Sequence, residues 1–327
     1  MHDLPQLLSH FHVFLKKNTL RRPPIGLYEP CDYILGLGGK RLRPAMLLMA
    51  HDLFDPRLQR AMPAAMAVEV FHNFSLIHDD IMDAAPLRRG QPTVHHRWDL
   101  NTGILSGDVM LVAAYDFLSK IRDRKSGWEC FRIFSRIARG VCEGQQLDME
   151  FERRSDVTLA EYLTMIELKT AVLLAGALEM GAVIAGAPPE DARHLFEMGR
   201  LAGIAFQIQD DLLDTFGDPE KFGKQVGGDI LQNKKTFLVL KFLETAPPEA
   251  VRQLRKWMET RTTPENAAEK VDFVKNLFQT NKIKEKTEAA KHEFSNAAFE
   301  HLHAVSVEKN RKAILEKTIA ELIGRDH

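Results

Sequence analysis

Cysteine is scarce in this chain. Cys31, Cys130 and Cys142 are the only three in 327 residues, and no metal-ligand or redox spacing relates them. That excludes a disulfide scaffold, a zinc site and a dithiol redox centre, and fits buried thiols in a reducing cytosol. Charge of one sign is also missing. Lys and Arg total 44 against 45 Asp and Glu, a net charge of −1. Nothing in that balance attracts nucleic acid or a membrane surface, so any grip on anions must be local. Met1 to Pro5 carry no charged segment followed by an apolar core, and no signal peptide is expected. The longest nearly apolar run, Ala171 to Ala187, is interrupted by Glu179 and ended by Pro188-Pro189. It is short for a spanning helix and reads as one buried among other helices; no transmembrane segment is expected. Alternating strand patterns, a glycine-rich dinucleotide fingerprint and a 20–50-residue repeat are absent too.

What remains is helical periodicity. Apolar residues make up 45% of the chain, enough for a sizeable core. Helices are expected over Leu4–Lys17, Ala45–Phe54 with Pro44 in the first turn, Met62–Met82, Asn101–Leu118 and Glu129–Glu152 after a Gly127-Trp128 turn. Thr158 and Glu161 form a capping box opening a helix that passes Lys169-Thr170 and continues to Ala187; Pro189–Phe216 and Phe237–Leu243 come next. From Met258 onward, charged amphipathic helices are expected to cover the core. The fold class is all-α: residues 1–327 read as one helical-bundle domain with a deep central pocket.

Two stretches repeat one design. Phe71-His72-Asn73-Phe74-Ser75-Leu76-Ile77-His78-Asp79-Asp80-Ile81-Met82-Asp83 ends an apolar helix in three carboxylates. At about 100° per residue, Asp79 and Asp83 share a face, and His72 lies two turns earlier on that side. More than a hundred residues on, Gln207-Ile208-Gln209-Asp210-Asp211-Leu212-Leu213-Asp214 does the same. A single acidic triplet is more often a solvated face; two with the same Asp-Asp-x-x-Asp spacing suit helices that share bound cations. Carboxylate oxygens are hard ligands, which points to Mg2+. Mg2+ usually takes few carboxylates and completes its shell with water and phosphate oxygens, so the implied ligand is a phosphate or diphosphate.

Cations gather around both acid runs. Gly36-Leu37-Gly38-Gly39 is a loop leading into Lys40-Arg41-Leu42-Arg43-Pro44, a plausible anion cradle at a helix start. Arg88 and Arg89 come after the first aspartates; they can hold diphosphate in paired contacts or simply neutralise Asp80 and Asp83. Lys169 and Thr170 sit in a greasy helix and need partners, either a bound anion or an aspartate on a neighbouring helix. Gln145 and Asp148 are candidates to face the pocket, and Lys224 and Lys234 bring charge to the second acid cluster.

The ordered set Gly38-Gly39-Lys40-Arg41-Leu42-Arg43-Pro44, Asp79-Asp80-x-x-Asp83 with Arg88-Arg89-Gly90, Lys169-Thr170, Phe206-Gln207-Ile208-Gln209-Asp210-Asp211 and Gly223-Lys224 resembles the trans (E-type) polyprenyl diphosphate synthase family over about residues 25–245. The resemblance implies the all-α isoprenoid synthase fold, a homodimer, and Mg2+ as cofactor, with three ions around bound diphosphate. It implies that Asp79, Asp83 and Asp210 are the principal Mg2+ ligands, supported by Asp80, Asp211 and Asp214. Arg88, Lys169, Thr170, Gln207, Lys224 and Lys234 match positions that hold the allylic diphosphate; Lys40, Arg43, His72 and Arg89 match those that hold isopentenyl diphosphate. The implied reaction is head-to-tail condensation of isopentenyl diphosphate with dimethylallyl, geranyl or farnesyl diphosphate.

Product length is expected to depend on residues below Asp79. In the family an aromatic five positions before the first aspartate restricts elongation, here Phe74; four positions before stands the small Ser75. No two-residue insertion interrupts the motif. The combination resembles geranylgeranyl (C20) synthases, with farnesyl (C15) as the alternative. Ideal geometry turns Phe74 about 140° from Asp79, which leaves Phe71 or a residue of another helix as a rival floor. A class I terpene cyclase and a non-catalytic synthase subunit are the competing classes. The second Asp-Asp-x-x-Asp and the Lys40–Arg43 cradle speak against the first, and six retained aspartates against the second.

Overall fold

A computed structural model describes residues 1–218 and 227–324. Its helices are α1 (Leu4–Lys17), α2 (Ile25–Gly36), α3 (Leu42–Asp52), α4 (Met62–Met82), α5 (Val94–Arg97), α6 (Leu100–Leu118), α7 (Arg124–Arg153), α8 (Leu159–Ile166), α9 (Val172–Ala185) and α10 (Pro189–Phe216). They continue with α11 (Gly228–Leu231), α12 (Phe237–Thr245), α13 (Pro248–Glu259), α14 (Ala267–Thr280), α15 (Ile283–Ala304) and α16 (Lys309–Ile323). The chain is all-α, with one small exception. β1 (Leu87–Arg88) and β2 (Gln91–Pro92) pair antiparallel across Arg89-Gly90, both at positive φ. So short a hairpin leaves no alternation for sequence to show.

The chain divides into two compact units: Met1–Ala138 with Leu173–Phe196 and Ala304–Leu315, and Arg139–Val172 with Glu197–His303 and Glu316–His327. In the first, α4 packs along α6 and α3. Every residue of α3 from Pro44 to Asp52 is buried, so this helix is a core element rather than an amphipathic one. Phe71 of α4 is fully buried and meets Phe134 edge-on at 5.3 Å. Burying a side chain of that size contributes roughly 1.5–3 kcal/mol.

The second unit is held by two apolar clusters. Phe151, Tyr162, Ile166, Ile204, Ile208 and Phe237 belong to one. Leu212, Leu238, Phe242, Val274, Phe278 and Ile283 belong to the other. Helices α14 and α15 therefore supply core residues, more than the covering role expected of the tail.

Helix starts obey local chemistry. Asp3 and Gln6 close a capping box at α1, Thr158 and Glu161 another at α8, and Thr236 caps α12. Several bounds differ from expectation. Helix α3 begins three residues early because Arg41 takes a left-handed conformation and caps it. The expected Gly127-Trp128 turn is absent: Gly127 donates its N–H to the Asp123 carbonyl inside α7. Cys31 and Cys130 are buried as expected, but Cys142 is exposed. The helical run Leu159–Ala185 is long and apolar enough, by length and composition, to cross a membrane; 67% of its most apolar window is buried inside the protein, as in a core helix. It is not regular: residues Glu167–Ala171 form a π turn, in which the Val172 N–H reaches back five residues to the Glu167 carbonyl.

His51, fully buried at the end of α3, makes stability depend on pH. Burial, against the pull of Asp55, pushes its imidazole down to about 4. A depressed folded pKa means the unfolded chain takes up a proton near pH 6.5 that the folded chain refuses. Stability is then complete above that value and lost as pH falls, by about 2 kcal/mol at pH 5. His72, whose pKa burial and nearby arginines also lower, adds to the same trend. Thermal unfolding is expected to show Tm falling between pH 7 and 5, with a shallower fall in His51→Phe.

Candidate active site

The first acid run ends α4, and its three carboxylates divide their work. Asp80 is buried and receives the Arg88 guanidinium on both oxygens, Nε at 2.9 and 2.8 Å and Nη2 at 2.7 Å. Burial raises the Asp80 pKa, and Arg88 holds the ionised form against it. Asp79 is partly exposed, with Arg88 Nη2 at 3.6 Å, and Asp83 is exposed at the C-cap. Of the two readings left open for Arg88, the structure has the ion pair with Asp80, and the second carboxylate it approaches is Asp79. The β hairpin aims it: Arg88 ends β1 and turns back onto α4.

The basic loop between α2 and α3 lies in the same unit. Arg41 adopts φ 47°, a left-handed conformation that costs an ordinary residue about 1–2 kcal/mol. It is held there by a buried ion pair with Glu69 of α4 and by donation to the Leu35 carbonyl. Asn73 donates to the same Glu69 carboxylate at 2.7 Å. This strut presents Arg43, whose Nη1 lies 3.1 Å from His72 Nε2 and whose buried Nε has no hydrogen-bond partner among the described residues. A buried donor without an acceptor suits an incoming anion. Arg89 donates to the Gly38 carbonyl, and its guanidinium lies over Gly39 so closely that a Cβ there would sit 2.8 Å from it. Gly39 is favoured by its φ of 116°, whereas the guanidinium, at the end of a flexible side chain, could move aside. The structure gathers Arg43, His72 and Arg89, and leaves Lys40 exposed on the loop. Burial and then Arg43 and Arg89 push the His72 pKa well down, so its ring is neutral.

The second acid run repeats the division. Asp211 is buried and accepts from the Tyr162 hydroxyl and, at 2.9 Å, from the Phe237 N–H. Burial pushes its carboxyl up to about 7. Asp210 and Asp214 are partly exposed, and Asp214 Oδ2 accepts from the Asp229 N–H at 3.0 Å, tying α10 to the start of α11. Lys234 lies 3.5 Å from Asp229. Its loop is fastened by the buried Lys270, which donates to Asn233 at 2.7 Å and Thr262 at 3.0 Å. Lys169 has the aspartate partner that was one of its two readings, Asp148 at 2.6 Å. Thr170 donates to Gln207 Oε1 at 3.4 Å, and the Gln207 amide approaches Asp211 at 3.5 Å. Lys224 lies outside the described residues.

In both runs the second aspartate is the most buried of the three and is anchored inward, Asp80 on Arg88 and Asp211 on Tyr162 and Phe237. Glu69, Asn73, Tyr162 and Lys270 escaped the sequence reading. Glu69 had a signal: an acid within the apolar run Ala64–Phe71 needs a buried partner.

The acidic donors of the two runs are hard carboxylate oxygens. Among the described residues no three ligating side chains converge on one point. Hard oxygen donors suit Mg2+, which retains water and completes its shell with substrate oxygens.

The chain is similar to known proteins. A geranylgeranyl diphosphate synthase of Methanosarcina mazei is 45% identical over 222 residues, 68% of each chain. A geranylfarnesyl diphosphate synthase of Natronomonas pharaonis is 42% identical, covering 66% of this chain and 69% of its own. A crystal structure of a geranylgeranyl pyrophosphate synthase superposes over 100% of both chains with a TM-score of 0.95 and 45% identity. The polyprenyl synthetase model matches residues 25–277, spanning the basic loop, both acid runs and Lys270, and the chain belongs to that family.

Proposed function

We propose that this protein is a trans-prenyltransferase. It condenses isopentenyl diphosphate head-to-tail with allylic diphosphates, and its end product is geranylgeranyl diphosphate. One observation carries the reading: each Asp-Asp-x-x-Asp run buries and anchors its second carboxylate, on Arg88 or on Tyr162 and Phe237, and keeps the first and last less buried. A solvated acidic face needs no such division; a diphosphate site needs outer oxygens held at a fixed register.

Asp79, Asp83 and Asp210 hold Mg2+, with Asp214 supporting. When bound, the ions neutralise negative charge gathering on the departing diphosphate. Arg88, Lys169, Lys224 and Lys234 bind the allylic diphosphate and favour the same charge. Lys40, Arg43, His72 and Arg89 hold isopentenyl diphosphate so that its double bond stands beside the allylic carbon. The allylic C–O bond breaks, the electron pair leaves with diphosphate, and the alkene of isopentenyl diphosphate attacks the delocalised cation. A proton lost from the adduct, taken by released diphosphate, restores the double bond. Thr170 and Gln207 present oxygen dipoles toward the cation, and apolar helix walls keep water from trapping it.

Purified protein with Mg2+, labelled isopentenyl diphosphate and each allylic starter tests the reading, with product length read by chromatography. Elongation supports it. Cyclic hydrocarbon from an allylic diphosphate alone replaces it with a cyclase, and silence with a non-catalytic subunit.

Phe74 acts as the floor of the chain-binding pocket. Its ring packs on Phe71 at 5.4 Å and His78 at 4.8 Å, yet keeps 7% exposure where Phe71 keeps 0%. That exposure favours Phe74 over Phe71 as the residue that meets a growing chain. Phe74→Ala is expected to lengthen the main product by at least one isoprene unit; unchanged length removes the assignment.

The working form is a cytoplasmic homodimer. Leu100, Leu105 and Val112 of α6 and Trp128 and Phe131 of α7 are exposed apolar residues of one unit, and the two aromatic rings stack at 5.5 Å. Leu105 and Val112 share a face of α6. A second copy covers this patch. Leu105→Asp with Val112→Glu is expected to shift sedimentation from dimer to monomer.

A further inference from the structure

The π turn at Glu167–Ala171 is fastened from two sides. Lys169 binds Asp148 of α7, while Glu167 pairs with Arg200 of α10 at 2.8 Å and Thr170 donates to Gln207 of α10. One additional residue in the turn shifts the phase of the downstream helix by about 100°, which is how neighbouring residues of a greasy helix come to address two different polar partners. The wider turn also brings its backbone unusually near both flanking helices. A Cβ built on Gly144 of α7 would stand 2.7 Å from the Leu168 carbonyl carbon and from Lys169 Cα, and nearer still to the Lys169 nitrogen. A Cβ on Gly203 of α10 would stand 2.6 Å from both Cα and Cβ of Ala171. These are backbone contacts, which no side-chain rotation relieves.

The geometry points to Gly144 and Gly203 as positioning residues that clamp the π turn and so set Lys169 and Thr170 for the allylic substrate. The inference rests on the reading that Lys169 and Thr170 hold that substrate. Neither glycine touches the reacting atoms; each acts by letting a helix approach the turn to backbone distance.

Gly140 provides a matched control. It lies one turn before Gly144 on the same face, but a Cβ there would meet only Leu168 Cδ2 at 3.4 Å and Val172 Cγ2 at 3.5 Å, an ordinary contact. Gly→Ala inside a helix stabilises where space allows, so propensity favours all three alanine variants equally and cannot explain a selective loss. Steady-state kinetics are measured for wild type, Gly140→Ala, Gly144→Ala and Gly203→Ala, alongside thermal unfolding. In Gly144→Ala and Gly203→Ala, kcat/KM for the allylic diphosphate is expected to fall about 100-fold, the scale of a misplacement near 1 Å. The KM for isopentenyl diphosphate should stay within about twofold, and Gly140→Ala should match wild type in both. A wild-type protein that does not elongate at all sinks the functional reading, and the inference with it. With an active wild type, the inference is overturned if Gly144→Ala and Gly203→Ala behave like Gly140→Ala, or if both substrates weaken alike. Should Gly144→Ala not fold, Gly203→Ala decides; if neither folds, the contacts are structural supports and the positioning role is wrong.

Discussion

Asp79→Ala is expected to lower kcat for chain elongation on the order of 10³-fold while leaving the melting temperature near that of wild type. Both halves of that outcome come from where the carboxylates lie. Asp79 is partly exposed, and Arg88, whose Nη2 lies 3.6 Å from it, keeps its contact with Asp80 when Asp79 is removed, so the guanidinium is not left without a carboxylate. The loss is of an oxygen that holds Mg2+ against the departing diphosphate. Asp80→Ala should behave in the opposite sense. Asp80 is buried and carries the bidentate Arg88 contact, so its loss leaves a guanidinium without its partner and lowers both stability and activity. Radiolabel incorporation across a Mg2+ titration, paired with thermal unfolding, separates the two. Residual activity of Asp79→Ala should rise with added Mg2+, whereas Asp80→Ala should not recover, because metal cannot re-aim Arg88. Chelation of Mg2+ should abolish elongation in every variant. An Asp79→Ala enzyme within tenfold of wild type would remove this aspartate from the metal site.

Much of the scaffold could be read from sequence because its signals are local. Helix α4 ends where Ala84 turns to φ 49° ahead of Ala85-Pro86, and α10 starts at Pro189 directly after Pro188. Apolar spacing sets both lengths. Other features have no local signature. Helix α2 carries Pro30 in its interior, which argues against a helix by propensity although tertiary packing buries Tyr28, Cys31 and Ile34 in one. The π turn is a change in hydrogen-bond register that composition does not encode. Its polar residues Lys169 and Thr170 did demand partners, but sequence left open whether these were substrate or protein; the structure has Asp148 and Gln207. The division of labour within each acid run was the largest gap. Sequence put Asp79 and Asp83 on one helix face and the resemblance made Asp80 a supporting residue, but that Asp80 is buried and anchored on Arg88 needs the structure.

Glu69→Ala is expected to cost about 3–5 kcal/mol, a larger stability loss than any other substitution named above. Arg41 and Glu69 are both buried and paired with each other, and Asn73 donates to the same carboxylate. Taking away the acid leaves a buried guanidinium with one carbonyl, Leu35, as its remaining partner, and leaves Arg41 in a left-handed conformation that nothing offsets. The desolvation of the pair was already a cost, so replacing both members with apolar residues of similar size, Arg41→Met with Glu69→Leu, should recover most of the lost stability. It should not recover substrate affinity. Arg41 is two residues before Arg43 and caps α3, so the ion pair fixes the loop on which Lys40 and Arg43 meet isopentenyl diphosphate. Without it the loop must be ordered on binding, and the entropy of that ordering weakens binding. The double variant is therefore expected to melt near wild type, to keep its KM for the allylic diphosphate, and to show a KM for isopentenyl diphosphate raised about tenfold. Chemical denaturation and two-substrate kinetics on the same preparations check both halves. Recovery of stability together with full isopentenyl affinity would mean that the pair supports the core and not the loop.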